Sequence, residues 1–218
     1  MLKAILFDMD GVIVDSEPLH KKAYYKMFKE VNIEVPETLF ESFTGQSTLK
    51  ICQTLCKHFR LTQPPKELVY LKRKHFKHIF ENDINFHLID GVLDLIKDYT
   101  KNGIKLVLAS SASMTTINRV FNKFKLEKYF FAKLSGADLK ASKPHPEIFI
   151  KAANITGCEK TECLVIEDST NGIKAANSAG IFCVGFDSHN SKNQDYSKAD
   201  LVIKNFNQIY FNKIKTLF

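Results

Sequence analysis

Asp8 and Asp10, two aspartates one residue apart, are the residues whose type and spacing most directly indicate chemistry in this sequence. They follow the apolar run 2–7 and precede Gly11, a pattern typical of a buried strand that ends in a turn. Residues two apart in an extended segment point to the same side, so both carboxylates should face one spot. They repel each other there unless a cation lies between them or one holds a proton. We therefore expect a site for a hard cation, with a nucleophile and a proton-transfer group.

Later apolar runs are also followed by polar side chains of the kinds that bind phosphate or metal ions. In chain order these are Ser110, Lys143, Glu167 and Asp168. Each has an ordinary explanation when taken alone, for example a helix cap for Asp168 or a surface position for Lys143. Ligands of open parallel sheets bind at the carboxyl ends of the strands, so the occurrence of all four at successive strand ends favours a functional site.

Short apolar runs alternate with helical patterns along most of the chain. The runs cover residues 2–7, 104–109, 131–134, 163–166 and 182–186, and amphipathic periodicity fills the intervals between the later ones. Strands that alternate with helices predict an α/β fold, in which a doubly wound parallel sheet is covered by helices on both faces.

The interval 16–87 breaks this alternation, because it contains amphipathic helical patterns and no convincing strand. Proline or serine marks the start of each pattern. These helices are predicted over residues 18–31, 47–59 and 65–80. We predict an α/β core made of residues 1–15 and 88–218, with residues 16–87 forming an inserted helical cap domain. A lobe on two linkers can open and close over the strand ends.

Composition and charge narrow the class of protein. Hydrophobic residues make up 44% and charged residues 25% of the 218 residues, as in ordinary globular proteins. No apolar stretch approaches the roughly 20 residues that a membrane-spanning helix needs. Met1 leads into the first strand without a signal-peptide pattern. We therefore expect a cytoplasmic protein with no membrane partner, and reduced thiols at its five cysteines.

The sequence is basic, with a formal net charge of +7. Its lysines and arginines are spread through mixed-charge helical patterns, and no nucleic-acid-binding motif occurs. We therefore expect no nucleic-acid partner and a monomeric protein. A mild positive field would still attract small anionic substrates.

The segments that carry the candidate chemistry resemble the motifs of the haloacid dehalogenase superfamily. The matching segments are residues 7–20, the strand end at Ser110, residues 142–149 and residues 166–176. Within the superfamily, the chain resembles the phosphatase and β-phosphoglucomutase-like branch, whose members carry a helical cap. The resemblance covers nearly the whole chain and contains all four family motifs in order.

The resemblance implies roles for the strand-end residues. Asp8 would attack phosphorus and form an aspartyl phosphate, and Asp10 would act as the general acid and base. Ser110 and Lys143 would contact the phosphoryl oxygens, where charge is concentrated in the transition state. Dehalogenases and phosphonate-cleaving relatives lack an acid at the position of Asp10. Its presence therefore favours phosphate esters as substrates.

The resemblance also implies Mg²⁺ as the cofactor. Mg²⁺ prefers oxygen ligands in octahedral geometry and retains several waters. Asp8, the backbone carbonyl of Asp10 and Asp168 would hold it, and Glu167 would be either a further ligand or an acceptor behind the ligands.

The cap would set substrate choice in this branch. His20 and the nearby Glu17 lie just past the first linker, where a closing cap would bring them to the site. Lys74 falls roughly where β-phosphoglucomutases carry a cap lysine. His20 and Lys74 also fit an ordinary position on a solvated helix face.

The segment 44–48, which includes Gln46 and Ser47, resembles the substrate-specificity loop of the cap. In β-phosphoglucomutases this loop carries an arginine that binds the distal phosphate of the substrate, and alignment places Thr48 at that position. A neutral hydroxyl cannot form the bidentate contact that a guanidinium makes with phosphate. This difference disfavours a mutase.

We therefore predict a Mg²⁺-dependent phosphohydrolase that acts on a small phosphorylated metabolite, with sugar phosphates as the expected class. The alternative enzyme is a β-phosphoglucomutase-like phosphotransferase. A receiver-like phospho-signalling domain uses similar strand-end residues, but it needs neither a helical lid nor an acid at Asp10.

Overall fold

The computed structural model describes residues 1–44, 46–187 and 193–218. Its strands are β1 (Ala4–Phe7), β2 (Lys105–Ser110), β3 (Ala132–Ser135), β4 (Cys163–Glu167), β5 (Phe182–Phe186) and β6 (Leu201–Ile203). They form one parallel sheet in the order β3-β2-β1-β4-β5-β6. This strand order is that of a doubly wound α/β sheet.

Helices cover both faces of this sheet. The helices are α1 (Glu17–Glu30), α2 (Glu37–Glu41), α3 (Thr48–Phe59), α4 (Pro65–Asn82), α5 (Val92–Lys101), α6 (Met114–Phe124), α7 (Glu147–Thr156), α8 (Thr170–Ala179) and α9 (Phe211–Ile214). Ile5 and Phe7 of β1 pack with α5 and α6, whereas Ala4 and Leu6 pack with α7 and α8 on the opposite face. This alternation follows the two-residue period of a strand. The predicted fold class is confirmed.

The strand order reverses direction at β1, and this reversal sets the position of the polar strand ends. β1 pairs with β2 on one side and with β4 on the other, with Phe7 opposite Leu108 and Ile166. The amide of Asp8 continues the ladder by donating to the carbonyl of Ile166 over 3.0 Å. The residues that follow β1 and β4 therefore lie side by side, at the crevice where doubly wound sheets bind ligands.

The predicted strands and long helices agree with those of the structure, with ends shifted slightly, but three short elements, β6, α2 and the four-residue α9, were missed. β6 is three residues at the sheet edge, and its central residue Val202 is 44% exposed. α2 is five residues long and has no buried residue. Elements this short do not complete a hydrophobic period that sequence analysis can detect.

Residues 17–82, the helical insert, contain α1 to α4. A hydrophobic cluster inside the insert includes Met27, Leu55 and Leu68. Leu19 of α1 and Phe76 of α4, in contrast, belong to the cluster that lines one face of the sheet. The insert thus has its own core, while two of its helices also pack on the sheet. Its proposed boundaries as a cap domain stay a prediction.

The two linkers of the insert run next to each other. Val14 and Leu88 form an antiparallel bridge, and the amide of Ile89 donates to the carbonyl of Ile13 over 3.0 Å. Both chain crossings therefore lie at one place, which would allow the insert to rotate about a single hinge.

Two further observations concern the cysteines and the apolar character of the helices. The five cysteines are free. In the described ranges, no helix combines the length and the apolar character needed to cross a bilayer.

Tyr99 offers a direct test of how α5 is fixed to the C-terminal segment. Its fully buried hydroxyl donates a 2.6 Å hydrogen bond to the carbonyl of Ile209. Tyr99→Phe leaves this carbonyl unpaired, so we expect the free energy of unfolding to fall by about 1–3 kcal/mol in urea denaturation. Tyr70→Phe is the control, because Tyr70 is 66% exposed and should change stability by less than about 0.5 kcal/mol. Equal stability of both variants would contradict this interpretation.

Candidate active site

Lys143 lies at the centre of a buried charge cluster at the carboxyl edge of the sheet. Its ammonium donates to Asp8 Oδ1 over 2.5 Å, to Glu167 Oε1 over 2.7 Å and to the carbonyl of Ala109 over 3.1 Å. Burial lowers the pKa of Lys143, but the Asp8 and Glu167 carboxylates outweigh this effect and hold that pKa above its ordinary value. The structure thus brings the ends of β1, β2 and β4 together around one charged lysine.

Glu167 uses both of its carboxylate oxygens inside the protein. Oε1 accepts from Lys143, while Oε2 accepts from the amides of Asp168 and Ser169 over 2.9 and 2.8 Å and from the Ser169 hydroxyl over 2.9 Å. Glu167 is fully buried. A Cβ on Gly172 would lie 1.7 Å from Oε1, so the first turn of α8 leaves just enough room for this carboxylate. These contacts favour the role of an acceptor that positions Lys143 over that of a metal ligand.

The carboxyl group of Asp8 has more negative than positive charge close to it. Burial raises its pKa to about 8, with Lys143 opposing the shift and with Glu167 and Asp10 adding to it. A carboxylate in this environment is stabilised in its ionised form by a nearby cation.

The oxygen atoms around Asp8 fit a hard divalent cation. Asp8, Asp10 and Asp168 line the same cavity. Gly11 has a φ of +84°, and a Cβ there would lie 2.0 Å from Asp168 Oδ2, so glycine is required for Asp168 to approach the turn after β1. Among the described residues, no three His, Cys, Asp or Glu side chains group closely enough to hold a metal unaided. Backbone carbonyl and water ligands would complete the shell, as Mg²⁺ accepts.

A hydrogen-bonded chain connects Asp10 to the helical insert. Asp10 Oδ1 accepts from the Ser16 hydroxyl and lies 3.3 Å from His20 Nε2. The other ring nitrogen of His20, Nδ1, lies 2.7 Å from Lys72 Nζ. An ammonium only donates, so Nδ1 accepts and Nε2 carries the proton that points to Asp10. The order of donation is therefore Lys72 to His20 to Asp10.

The surroundings of Lys72 shift its own pKa, and its charge affects the pKa values of His20 and Asp10. Its ammonium is buried and lies 4.9 and 4.8 Å from the ring centres of Tyr24 and Phe76. Burial lowers the pKa of Lys72 to about 8, although Asp10 is among the groups that oppose the shift. Burial and the charge of Lys72 lower the pKa of His20, so its ring is neutral at pH 7. Burial would raise the pKa of Asp10, but His20, Ser16 and Lys72 together hold it below its ordinary value.

Glu17 also lines the cavity that contains Asp10. Burial and the charge of Asp10 raise the pKa of Glu17 to about 7, with Lys72 opposing and Asp15 adding to the shift. Near neutral pH this carboxyl group can therefore accept or donate a hydrogen bond to a bound molecule.

Ser110 lies at the end of β2, next to the carbonyl of Ala109 that binds Lys143. It is completely buried, and its hydroxyl accepts from the amide of Ala112 over 3.1 Å. Ser111 and Ala112 line the cavity beside Asp8. Ser111, which the sequence analysis did not single out, is therefore a further candidate for phosphate contact.

The predicted specificity loop lies over the same cavity. Gln46 and Thr48 line it, and Ser47 caps α3 by accepting from the amide of Lys50 over 3.3 Å. Gly45, in the middle of this loop, lies outside the described residues. The structure thus brings Gln46 and Thr48 to the cavity and gives Ser47 a local role in the helix.

The lysine that reaches His20 is Lys72, two residues before the predicted Lys74. Lys74 is exposed and lines a neighbouring cavity. Leu68, Lys72 and Phe76 are four residues apart and all are buried on one face of α4. A lysine on the apolar stripe of an amphipathic helix was the sequence signal that could have identified Lys72.

Residues of the helical insert, among them His20 and Phe43, line one part of this cavity, which we call the catalytic cavity and whose volume is about 80 Å³. The Nδ2 group of Asn171 donates to the carbonyl of Thr44 over 2.8 Å, and that of Asn193 donates to Glu41 Oε2 over 3.0 Å. Hydrogen bonds between insert and core therefore hold the insert over Asp8 and Asp10.

A family model described as haloacid dehalogenase-like hydrolase matches residues 5–186. The chain belongs to this family. Among its relatives, this haloacid dehalogenase-like hydrolase is 28% identical over 180 residues to the phosphorylated carbohydrates phosphatase of Thermotoga maritima, covering 83% of the chain and 82% of that protein. It is 34% identical over 191 residues to the chloroplastic protein SUPPRESSOR OF QUENCHING 1 of Arabidopsis thaliana, covering 84% of the chain but 18% of that protein.

Among solved structures, the β-phosphoglucomutase of Clostridium difficile superposes on this hydrolase with a TM-score of 0.85. The two sequences are 30% identical, and the match covers 99% of this chain and 96% of the other. The resemblance to the phosphatase and β-phosphoglucomutase-like branch is confirmed.

Gly172 tests the packing around Glu167. In an ordinary helix, alanine is more stable than glycine by roughly 1 kcal/mol. Here the new methyl group would overlap the Glu167 carboxylate, so we expect Gly172→Ala to lower the free energy of unfolding by about 1–3 kcal/mol in urea denaturation. Ser178→Ala, at an exposed position of the same helix, is the control and should be neutral or slightly stabilising. A stabilised Gly172→Ala variant would show that Glu167 is not held as described.

Proposed function

We propose that this haloacid dehalogenase-like hydrolase is a Mg²⁺-dependent phosphatase of small phosphorylated metabolites, with sugar phosphates as its substrate class. One observation carries the proposal: Asp8 lies buried at the point where the strand order reverses, with Lys143 on its Oδ1 at 2.5 Å and Asp10 lining the same cavity. The name of the Thermotoga maritima relative, a phosphatase of phosphorylated carbohydrates, supports this substrate class.

Asp8 would act as the nucleophile. Lys143 fixes one oxygen of its carboxylate, and Glu167 fixes Lys143 in turn. Attack by Asp8 on phosphorus forms an aspartyl phosphate and breaks the bond to the alcohol oxygen of the substrate. Mg²⁺ held by Asp8, the Asp10 carbonyl and Asp168 would supply positive charge next to the phosphoryl oxygens.

Asp10 would move the protons. In the unliganded site its pKa lies below its ordinary value, so Asp10 would take up a proton as the negatively charged phosphate binds beside it. Its carboxyl group would then protonate the departing alcohol oxygen and take a proton back from the water that hydrolyses the aspartyl phosphate. Ser16 and His20 hold Asp10 by hydrogen bonds, and Lys72 holds His20. Since His20 and Lys72 belong to the helical insert, the partners of Asp10 are complete only while the insert lies over the core. This supports a role for the insert as a closing cap.

A β-phosphoglucomutase-like activity is the alternative, favoured by the structural match to such an enzyme. A mutase must protect its aspartyl phosphate from water and bind the far phosphate of its substrate. Thr48 lines the cavity where the resemblance would place an arginine for that phosphate. A receiver-like role is disfavoured, because the insert covers Asp8 and provides partners for Asp10.

Asp8→Ala tests the nucleophile and the metal together. In a phosphate-release screen over sugar phosphates, we expect wild-type turnover with Mg²⁺, none with excess chelator, and less than about 1% of turnover in Asp8→Ala. Asp94→Ala, on the exposed face of α5, should keep wild-type turnover. Circular dichroism would establish that each variant is folded.

The same screen separates the two enzymes. Conversion of β-glucose 1-phosphate with a bisphosphate primer, without comparable phosphate release, would rank the mutase first. Retained turnover in Asp8→Ala would remove Asp8 from the mechanism.

Lys72→Met tests the chain of hydrogen bonds that runs from Lys72 through His20 to Asp10. Methionine is similar in length and suits the space between Tyr24 and Phe76, so the variant should fold. Because His20 Nδ1 loses its donor, the free energy of unfolding should fall by no more than about 1–3 kcal/mol in urea denaturation. Loss of the donor to His20 should nevertheless lower kcat for phosphate release at least about tenfold. Lys57→Met, at an exposed position of α3, is the matched control and should behave as wild type. Wild-type kcat in Lys72→Met would exclude a role for this chain.

A further inference from the structure

The catalytic cavity is too small to hold a whole metabolite. Its volume of about 80 Å³ compares with roughly 300–1,000 Å³ for typical small-molecule sites. A second cavity of about 550 Å³ adjoins it, and the two have His20, Thr48, Lys72 and Ala112 in common. A substrate whose phosphate binds at Asp8 can therefore extend into the second cavity.

This second cavity, the basic cavity, is lined by cationic side chains from two sides. Its charged lining residues, apart from Lys72 and His20, are Lys66, Arg73, Lys74, Lys77, Arg119 and Asp138. Within the described ranges, Lys77 forms an ion pair with Glu81 at 4.0 Å, and the other four cations form none. The lining is therefore strongly positive, with one carboxylate against five cations.

The two arginines of the basic cavity come from different parts of the fold. The positive charge of this cavity is therefore not simply that of one solvated helix face. Arg73 belongs to α4 of the insert, whereas Arg119 belongs to α6 of the core. Guanidinium groups that line one cavity repel each other, and a bound anion relieves this repulsion. Arginine also makes the bidentate contacts that carboxylates and phosphates accept.

Another neighbouring cavity, of about 470 Å³, is a weaker candidate for the rest of the substrate. It has one lining residue, Gln46, in common with the catalytic cavity. Its exposed cations are Lys50 and Lys140, and it contains no arginine among its described lining residues.

We propose that the substrate carries a second anionic group, a phosphate or a carboxylate, which binds in the basic cavity between Arg73 and Arg119. This inference rests on the proposed phosphatase function, since the first phosphate is taken to bind at Asp8. The cations come from α4 and α6 rather than from the loop before α3, where Thr48 stands. In this protein, the second anion would therefore be bound by side chains of α4 and α6 instead of by the loop before α3.

Matched substrates test the proposal. The carboxylate arm compares 6-phosphogluconate with glucose 6-phosphate, and the phosphate arm compares fructose 1,6-bisphosphate with fructose 1-phosphate. In at least one arm, we expect wild-type kcat/KM to be about tenfold or more higher for the substrate with two anionic groups. That ratio should fall about tenfold in Arg73→Ala and in Arg119→Ala, and should stay unchanged in Lys57→Ala. Ratios near one in both wild-type arms, or ratios unchanged in the arginine variants, would overturn the proposal.

A binding measurement separates this inference from the proposed function. Titration calorimetry on Asp8→Ala, with and without Arg119→Ala, would use the same four compounds. Binding of a doubly anionic compound that weakens about tenfold without Arg119 supports the basic cavity even if no compound is hydrolysed, in which case the phosphatase proposal fails alone. Hydrolysis without any preference for a second anionic group would leave the phosphatase and remove the inference.

Discussion

The buried contact of Lys143 with Asp8 and Glu167 is the constraint on which the rest of the site depends. Burying an ion costs several kcal/mol unless it is paired and hydrogen-bonded. Lys143 meets this condition with two carboxylates and one carbonyl, and Glu167 meets it with donors on both oxygens. The β1–β4 register and the missing side chain of Gly172 allow this arrangement. Two carboxylates against one ammonium leave a net negative charge, which the proposed divalent cation at Asp8 would balance.

The second feature of the site is that the core and the helical insert each provide residues of the candidate site. The core provides Asp8 and Asp10, while His20 and Lys72 come from α1 and α4. Leu19 and Phe76, on these same two helices, pack in the hydrophobic cluster of the sheet. Packing of the insert on the sheet therefore also sets the hydrogen bonds of Asp10. In the proposed mechanism, closure and proton transfer are therefore linked, because the same two helices would determine both.

Charge is segregated between the adjoining cavities. The catalytic cavity contains the carboxylates of Asp8, Asp10 and Asp168, which suit a metal ion and a reacting phosphate together. The basic cavity next to it is positive and has no metal-binding carboxylate cluster among its described lining residues. A small molecule with anionic groups at both ends would match this distribution better than a neutral sugar ester. The +7 formal charge of the whole chain acts in the same direction by attracting anions to the surface.

The sequence by itself determined the parallel sheet, the helical insert and the polar residues at the strand ends, because these depend on local periodicity and on turn residues next to each apolar run. It did not reveal β6, α2 and α9, whose few residues carry no complete period. From the sequence, Lys74 was named rather than Lys72, although the apolar stripe of α4 contains Lys72; the contact of Lys72 with His20 was decided by the packing of α4 against α1. That Arg73 and Arg119 line one cavity was likewise decided only by tertiary structure, because α4 of the insert and α6 of the core come together only when the insert lies over the core.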